Sequence, residues 1–284
     1  MKIFYNNLSI LTFKELLFYA FFSLFNKNSE SYKKWNSLIY LSNIFRKNQY
    51  NLQANFLSNT FSIKKEPLEL TLRKNSSDLE VAKQIFLEHE YERPAKKVQE
   101  LINISNSPVI LDAGANIGCS ALYFASFFIN SKVIALEPFP DTFSILKNNL
   151  IVNNPEILYL KAALWSRKSS IDFDFTFRDG KEWSIKTLEN PKGKIKAIGL
   201  MDIEKTYKIK EIDILKVDIE GSEFEVFLNS ETNCSMLPNI KSIVMEIHDD
   251  AGSRIELYEK LKAFRFDIIE MGELTLFLNK KFLK

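Results

Sequence analysis

Short apolar runs alternate with amphipathic segments from about residue 78 to the end of the chain, which predicts strands and helices in turn. The predicted strands cover residues 108–112, 132–137, 157–161, 212–218, 240–247, 266–270 and 274–278, and the predicted helices cover residues 117–129, 141–152, 222–230 and 253–264. Runs rich in Val, Ile and Leu that alternate with helices are typical of βαβ units, so we expect an α/β domain with a parallel sheet. A hairpin turn at residues 271–273 separates the last two strands, so one strand should be antiparallel.

The first 77 residues follow a different pattern and are expected to form a helical and irregular N-terminal extension, 1–77, before a domain at 78–284. Helices are predicted at residues 12–25 and 31–47, and short strands at 61–64 and 68–73. Residues 78–103 are predicted to form one helix. The segment 169–200 interrupts the alternation, and we expect it to add a hairpin near the site.

Charge is unevenly distributed along the chain, although the formal net charge is only +2. Residues 1–60 have a balance of +5, so the remainder has −3. A weak overall charge predicts no nucleic-acid partner. The basic, aromatic front, residues 1–47, is expected to be a lid or dimerisation element, and a membrane-surface role and a homo-oligomer stay open as alternatives.

The chain shows no sign of secretion or of a disulfide framework. Its longest apolar run near the front, residues 16–25, is too short to cross a bilayer. The two cysteines, Cys119 and Cys234, fit no paired metal spacing. We therefore expect a cytoplasmic protein, peripheral to a membrane if the front segment binds one.

The stretch at residues 109–118, VILDAGANIG, reads as a buried strand, a glycine-containing turn and the start of a helix. Ligands of open α/β sheets bind at such turns. The pattern D-x-G-x-N-x-G (Asp112, Gly114, Asn116, Gly118) lacks two glycines of the dinucleotide fingerprint. A carboxylate beside a pyrophosphate would be repulsive, whereas beside a sulfonium and an ammonium it is tolerable. The loop therefore favours S-adenosylmethionine over NAD.

A second part of the cofactor site is predicted at the end of the next strand. Glu137 lies there, and a carboxylate in that position can accept both hydrogen bonds of a ribose diol. Its distance from Gly114 along the chain is close to the spacing expected of such a site. Pro138 stiffens the loop beneath the adenosine.

Four segments together resemble the FkbM-type family of class I methyltransferases: LDAGANIG (111–118), ALEPFPDTFSILKNNL (135–150), ILKVDIEGSEFEVF (214–227) and VMEIH (244–248). They cover about residues 100–280 in the order of the family, and the first 75 residues are not covered. The resemblance implies a Rossmann-like, seven-stranded, mostly parallel sheet. It also implies methylation of an oxygen, usually a hydroxyl on a sugar, glycan or secondary metabolite.

The other side of the predicted cleft is acidic. Asp218 closes the strand 214–218 and should project into the same crevice as Asp112, with Glu220 and Glu223 following at a helix start. His248 ends the neighbouring strand, beside Glu246, whereas His89 is expected to be an exposed helix residue. Asp218 or His248 is the expected base for the acceptor hydroxyl, with Glu220, Glu223 and Glu246 as substrate contacts or possible metal ligands. A divalent ion held by Asp218, Glu246 and His248 is the alternative.

Three rival functions stay open beside O-methylation of a small-molecule or glycan acceptor. RNA methylation would need a basic groove, which the balance of −3 opposes. A non-catalytic, cofactor-binding scaffold would use the aromatic front for assembly. An NAD-linked oxidoreductase would need the glycines of the dinucleotide fingerprint, two of which this loop lacks. Trp165 and Trp183 are candidates for stacking on a sugar ring, with the protein core as the alternative for either.

Overall fold

The computed structural model describes residues 29–54, 58–74, 76–174, 186–190 and 192–284. The chain divides into two compact units, one formed by residues up to Glu90 together with 148–153, and the other by residues 91–147 and 154–284. The predicted helix at 12–25 and Trp183 lie outside the described residues. None of the described helices is both long enough and apolar enough to cross a membrane.

The strands of the described chain are β1 (Asn51–Ala54), β2 (Thr60–Lys65), β3 (Leu68–Arg73), β4 (Val109–Ala113), β5 (Lys132–Leu136), β6 (Leu158–Leu160), β7 (Ala163–Leu164), β8 (Ser169–Asp174), β9 (Lys186–Glu189), β10 (Ile195–Ile198), β11 (Ile214–Val217), β12 (Ser242–Glu246), β13 (Phe266–Met271) and β14 (Leu274–Asn279). The α-helices span Glu30–Lys47, Asp78–Phe86, Glu92–Leu101, Cys119–Phe127, Pro140–Asn153, Leu200–Tyr207, Glu223–Leu228, Glu231–Cys234 and Arg254–Ala263. In the same described part of the chain, 3₁₀ turns cover Leu237–Asn239 and Lys280–Phe282.

In the larger unit, seven of the described strands form one sheet in the order β13-β14-β12-β11-β4-β5-β6. Neighbouring strands from β12 to β6 are parallel, and β14 is antiparallel to both β12 and β13. The predicted mostly parallel sheet with one antiparallel strand is thus confirmed. The strand order reverses between β4 and β11, which makes the carboxyl ends of these two strands the place where such a sheet binds ligands.

At the centre of the sheet, apolar side chains are buried on both faces. Leu111, Leu215 and Val217 are fully buried in one large cluster with residues from the helices Leu200–Tyr207 and Arg254–Ala263. Ile110 and Ile214 have zero exposure on the alternate positions of the same strands. Burial on both faces explains why these strands appear in the sequence as continuous apolar runs.

The smaller unit contains the helix Glu30–Lys47 and the antiparallel sheet β1-β2-β3. Strand β1 is an addition to the two strands expected there. At the other edge of this sheet, the side-chain amide oxygens of Asn149 and Asn153 accept the backbone N–H groups of Thr71 and Glu69, each at 2.8 Å. They satisfy backbone groups that an unpaired β3 edge would otherwise expose.

Two predicted elements differ from the structure. The helix expected at 78–103 is two helices, Asp78–Phe86 and Glu92–Leu101, because the chain breaks where His89 takes a left-handed φ of 56°. His89 is exposed, as expected, but it lies outside both helices. Segment 169–200 holds more than a hairpin, since β8, β9 and β10 join β7 in a separate sheet in the order β7-β10-β8-β9 among the described residues.

Candidate active site

The carboxyl ends of β4 and β11 meet at the point where the strand order reverses. The Asp218 N–H donates to the Ala113 carbonyl at 3.1 Å, so the loop after β11 is fastened to the end of β4. A Cβ built on Gly114 would lie 1.7 Å from the Asp218 carbonyl oxygen. Glycine at 114 is therefore required by the chain's own backbone. The two predicted halves of the site, at 112–118 and 218–223, are in direct contact.

The turn after β4 is the predicted cofactor loop, and its backbone bonds tie it to the end of β5. Gly114 and Ala115 both donate their N–H groups to the Leu136 carbonyl, at 3.1 and 2.8 Å. Asn116 and Gly118 have left-handed φ angles of 50° and 91°, and Gly118 caps the helix Cys119–Phe127. The left-handed conformations turn the chain from strand to helix within five residues, as this kind of site needs.

Glu137 directly follows β5 and is only 4% exposed. Its carboxylate accepts the Asn116 N–H at 3.1 Å and the Phe139 N–H at 2.9 Å. The half-buried Pro138 lies between Glu137 and Phe139 in the chain, and its ring fixes its own φ angle in this loop. The backbone thus orients this carboxylate at the edge of the sheet where the cofactor is expected.

Asp112 is fully buried and lies opposite Lys216 in the register of β4 and β11. The Ser120 hydroxyl donates to its carboxylate at 2.6 Å, and Lys216 Nζ lies 3.3 Å away. The same Nζ donates to the Gly114 carbonyl at 2.7 Å. Lys216 is a residue that the sequence-based interpretation missed, although a lysine within an otherwise apolar strand is itself the signal.

The acidic loop after β11 folds back on itself. Glu220 has a left-handed φ of 54° and Gly221 one of 91°, and a Cβ on Gly221 would lie 2.6 Å from the Ala251 side chain. Glycine therefore lets this loop pack against the loop after β12, where His248 stands. The loops that follow the adjacent strands β11 and β12 therefore lie side by side at the carboxyl ends of these strands.

Carboxylates surround His248. Glu223, with zero exposure, lies 3.2 Å from Nδ1, and Glu220 and Glu246 lie 3.5 and 3.9 Å from Nε2. Glu223 also accepts the Ile219 N–H at 3.1 Å, which fixes its carboxylate. Burial opposes charge on the imidazole, but the hydrogen bond to Glu223 and the charges of Glu220 and Asp218 outweigh it and raise the pKa of His248 to about 9.

The pKa of Glu220 is also displaced. Burial raises the pKa of this carboxyl to about 7, and the negative charge of Asp218 adds to the effect while His248 opposes it. At neutral pH the cluster therefore holds a protonated imidazole beside a carboxyl group that is close to its own midpoint.

Ligand atoms of Asp218, Glu220 and His248 lie within 4.8 Å of one another, the one such group of three His, Cys, Asp or Glu side chains in the described chain. Glu220 thus belongs to this group with Asp218 and His248, whereas Glu246, which was expected beside them, does not. Carboxylate oxygens and an imidazole nitrogen are a donor set that divalent cations accept.

Trp165 and the two cysteines, Cys119 and Cys234, are buried. Trp165 is 5% exposed and packs with Ile171 and Ala197. It is therefore part of the protein core, which was the alternative to stacking on a sugar ring. Both cysteines are free and buried.

The family follows from a match that spans this whole site. The model of the methyltransferase FkbM domain matches residues 112–280, from the buried Asp112 to just beyond the last strand of the sheet. The chain belongs to the FkbM methyltransferase family. It is therefore a methyltransferase of a family that uses S-adenosylmethionine.

Relatives of this FkbM protein include two with named activities. It is 25% identical to the methyltransferase sdnD of Sordaria araneosa over 66% of this chain and 82% of that protein. It is 29% identical to the hexuronic acid methyltransferase AglP of Haloferax volcanii over 49% of this chain and 56% of that protein.

Among solved structures, the fibrillarin pre-rRNA processing protein of Methanococcus jannaschii matches with a TM-score of 0.39 and 12% identity, over 80% of this chain and 96% of that chain. The ribosomal protein L11 methylase of Lactobacillus delbrueckii subsp. bulgaricus matches with a TM-score of 0.39 and 10% identity, over 66% and 77%.

Proposed function

We propose that this FkbM protein transfers a methyl group from S-adenosylmethionine to a hydroxyl oxygen of a sugar-containing acceptor. The observation that carries the proposal is the contact between the cofactor loop and the acidic loop, where Gly114 leaves no room for a Cβ beside the Asp218 carbonyl. Through that contact, the groups able to take a proton lie at the same sheet edge as the donor loop.

The residues at this edge fit the donor. Glu137 offers an oriented carboxylate for ribose hydroxyls, and Asn116, Gly118 and Pro138 shape the loop around it. Asp218 and Glu220 supply negative charge, which is compatible with a sulfonium and would oppose a pyrophosphate. When bound, S-adenosylmethionine supplies an activated methyl group, so the chain's own task is to orient the acceptor and remove its proton.

We assign the role of proton acceptor to a carboxylate. Glu220 is the first candidate for this role and Asp218 is the second. His248, with a pKa of about 9, is protonated at neutral pH and has no free lone pair with which to accept a proton. Glu220, with a pKa of about 7, is matched to proton transfer near neutrality. The His248 imidazolium, held by Glu223, then favours the ionised form of Glu220.

A hydroxyl-bearing acceptor suits this chemistry, because ionised carboxylates only accept hydrogen bonds and hydroxyls donate them. The relative AglP is named for a hexuronic acid, so sugars and sugar acids are the first acceptors to test. A sugar acid offers two kinds of oxygen. Methylation of a hydroxyl requires loss of a proton, whereas an ionised carboxylate has none to lose.

A divalent ion at Asp218, Glu220 and His248 is a second route, favoured by the proximity of their ligand atoms. An ion there would lower the pKa of the acceptor hydroxyl directly. Incubation with a chelator followed by dialysis separates the routes. Full activity after chelation supports the proton route, and loss that is restored by Mg²⁺ or Mn²⁺ supports the metal route.

The deciding experiment is transfer of a labelled methyl group into neutral hexosides and hexuronic acids, followed by mild alkaline hydrolysis. Methyl ethers survive alkali and methyl esters do not. We expect alkali-stable label, and we expect Glu220→Gln to reduce it by about 10²-fold or more, the usual contribution of a positioned base. Glu225→Gln is the control, because Glu225 lies on the adjoining helix and bonds Asn229 outside the cluster.

Alkali-labile label that Glu220→Gln leaves unchanged would refute hydroxyl methylation and favour ester formation. Absence of label from every sugar acceptor, with tight binding of S-adenosylhomocysteine retained, would refute the acceptor class. Absence of that binding would refute the whole proposal.

A further inference from the structure

Lys216 is a buried charge at the centre of the sheet. It lies on β11 between apolar neighbours and is 2% exposed, and a lysine is almost never so deeply buried unless it is paired. Its ammonium donates to the Gly114 carbonyl at 2.7 Å and lies 3.3 Å from the Asp112 carboxylate and 3.5 Å from that of Asp218. One side chain thus contacts both halves of the site.

The Lys216 ammonium has three N–H donors, so it can serve more than one acceptor at once. The Gly114 carbonyl accepts one of them, and the carboxylates of Asp112 and Asp218 lie within ion-pair distance of the same nitrogen.

The cofactor loop is held from two directions. On the β5 side, the Leu136 carbonyl accepts the N–H groups of Gly114 and Ala115. On the β11 side, Lys216 donates to the Gly114 carbonyl. The same peptide segment is thus fixed through both its donors and its acceptor, which sets the position of the loop between the two strands.

We propose that Lys216 is a positioning residue for donor binding, which ties the Gly114 carbonyl to Asp112 and Asp218 and so keeps the cofactor loop in register with the acidic loop. The inference rests on the proposed function, since it takes the Gly114 loop as the donor site. Lys216 acts through these groups and is not itself expected to touch the reacting atoms.

A matched buried pair lies at the opposite end of the same sheet. Lys241 Nζ lies 2.9 Å from the Asp213 carboxylate, with 6% and 1% of their side chains exposed. Lys241 also bonds the Asn103 carbonyl and the Ser105 hydroxyl. Asp213 precedes β11 and Lys241 precedes β12, so this pair has the same chemistry and a similar depth but lies at the strand ends opposite the cofactor loop.

The test measures affinity for S-adenosylhomocysteine by calorimetry, which needs no acceptor and no turnover, and thermal unfolding in parallel. Lys216→Met removes the charge and keeps the length of the side chain. The double variant Asp112→Asn with Lys216→Met removes both charges, so it stays informative if the single variant fails to fold because of an unpaired buried carboxylate. The controls are Lys241→Met and the double variant Asp213→Asn with Lys241→Met.

All four variants should unfold at lower temperatures than the wild type. The variants at Lys216 should lose at least about tenfold in affinity, the usual loss for a hydrogen bond from a charged group. The variants at Lys241 should stay within about twofold, because distant sites act independently.

Wild-type affinity in a folded Lys216 variant would overturn the positioning inference and leave the proposed function intact. An equal loss of affinity in both series would overturn it as well, because that loss would follow stability rather than position. No affinity in the wild type would instead overturn the proposed function.

Discussion

Gly114 and Gly272 share a left-handed backbone but differ in what surrounds them. A Cβ at 114 would lie 1.7 Å from the Asp218 oxygen, whereas a Cβ at 272 would meet nothing within 4 Å. Gly272→Ala should therefore cost only about 1–2 kcal/mol of backbone strain. Gly114→Ala should cost more, and it should abolish binding of S-adenosylhomocysteine because the cofactor loop must move away from Asp218.

Chemical denaturation and calorimetry of the two alanine variants measure both effects. If Gly114→Ala matches Gly272→Ala in stability and binds the product normally, then the contact between the two loops does not hold the site together.

The pKa displacements at Glu220 and His248 predict how the rate depends on pH. Glu220 must be ionised to accept a proton, so kcat/KM should rise as the pH increases through about 7. His248 loses its proton only near pH 9, where Glu220 is already ionised, so kcat/KM should reach a plateau between these two pH values. The other charged groups that act on this pair are Asp218, Glu223, Glu246, Asp249 and Lys216.

The rise near pH 7 belongs to a coupled pair of groups, so its midpoint is a macroscopic pKa. In the Glu220→Gln variant the rise near pH 7 should disappear along with most of the rate. If Glu220→Gln instead keeps this rise, another group accepts the proton, and Asp218 is then the next candidate.

At the scale of elements, Asp78 joins strand β3 to the helix that follows it. Its fully buried carboxylate accepts the Arg73 backbone N–H at 2.8 Å and two guanidinium N–H groups at 3.0 and 2.7 Å. Asp78→Asn should cost about 1.5–3 kcal/mol, the usual range for hydrogen bonds to charged groups. The exposed pair Lys97–Glu100 is the control, since Glu100→Gln should cost less than about 1 kcal/mol.

Hydrogen exchange of the β3 amides, together with denaturant unfolding, measures this effect. Equal losses in the two variants would mean that the buried carboxylate contributes no more than a surface ion pair.

Elements with strong periodic signals could be predicted from the sequence, and short or interrupted ones could not. The central strands of the main sheet, β4, β5, β11 and β12, are mostly apolar runs, because both of their faces are buried. The break within residues 78–103 could not be predicted as easily. Its one signal in the sequence is Pro94, and proline is tolerated in the first turn of a helix. Strand β7 has only two residues, too few for any period to be visible.

The strand-end residues of the site could be predicted because parallel strands bring their carboxyl ends to one edge. The pairing of Glu223 with His248 could not, because it depends on how two loops fold against each other. For the same reason, the sequence did not reveal that Asp112 has a buried lysine as its partner.

At the scale of the whole molecule, a glycan acceptor and an RNA acceptor predict different responses of the protein to salt. Residues 1–60 carry +5 and the remainder −3, and the cluster around His248 is rich in carboxylates. A polyanion that bound such a protein would depend on phosphate contacts, and six to ten contacts lose about 10³–10⁵-fold in affinity between 50 and 200 mM salt. A neutral sugar makes no such contacts, so kcat/KM for a hexoside should change by less than about threefold over that range. Steady-state rates at four salt concentrations, with RNA binding measured in parallel, test this expectation. RNA binding that is tight at 50 mM salt and declines by several orders of magnitude at 200 mM would indicate a polyanionic acceptor and would favour RNA methylation over sugar methylation.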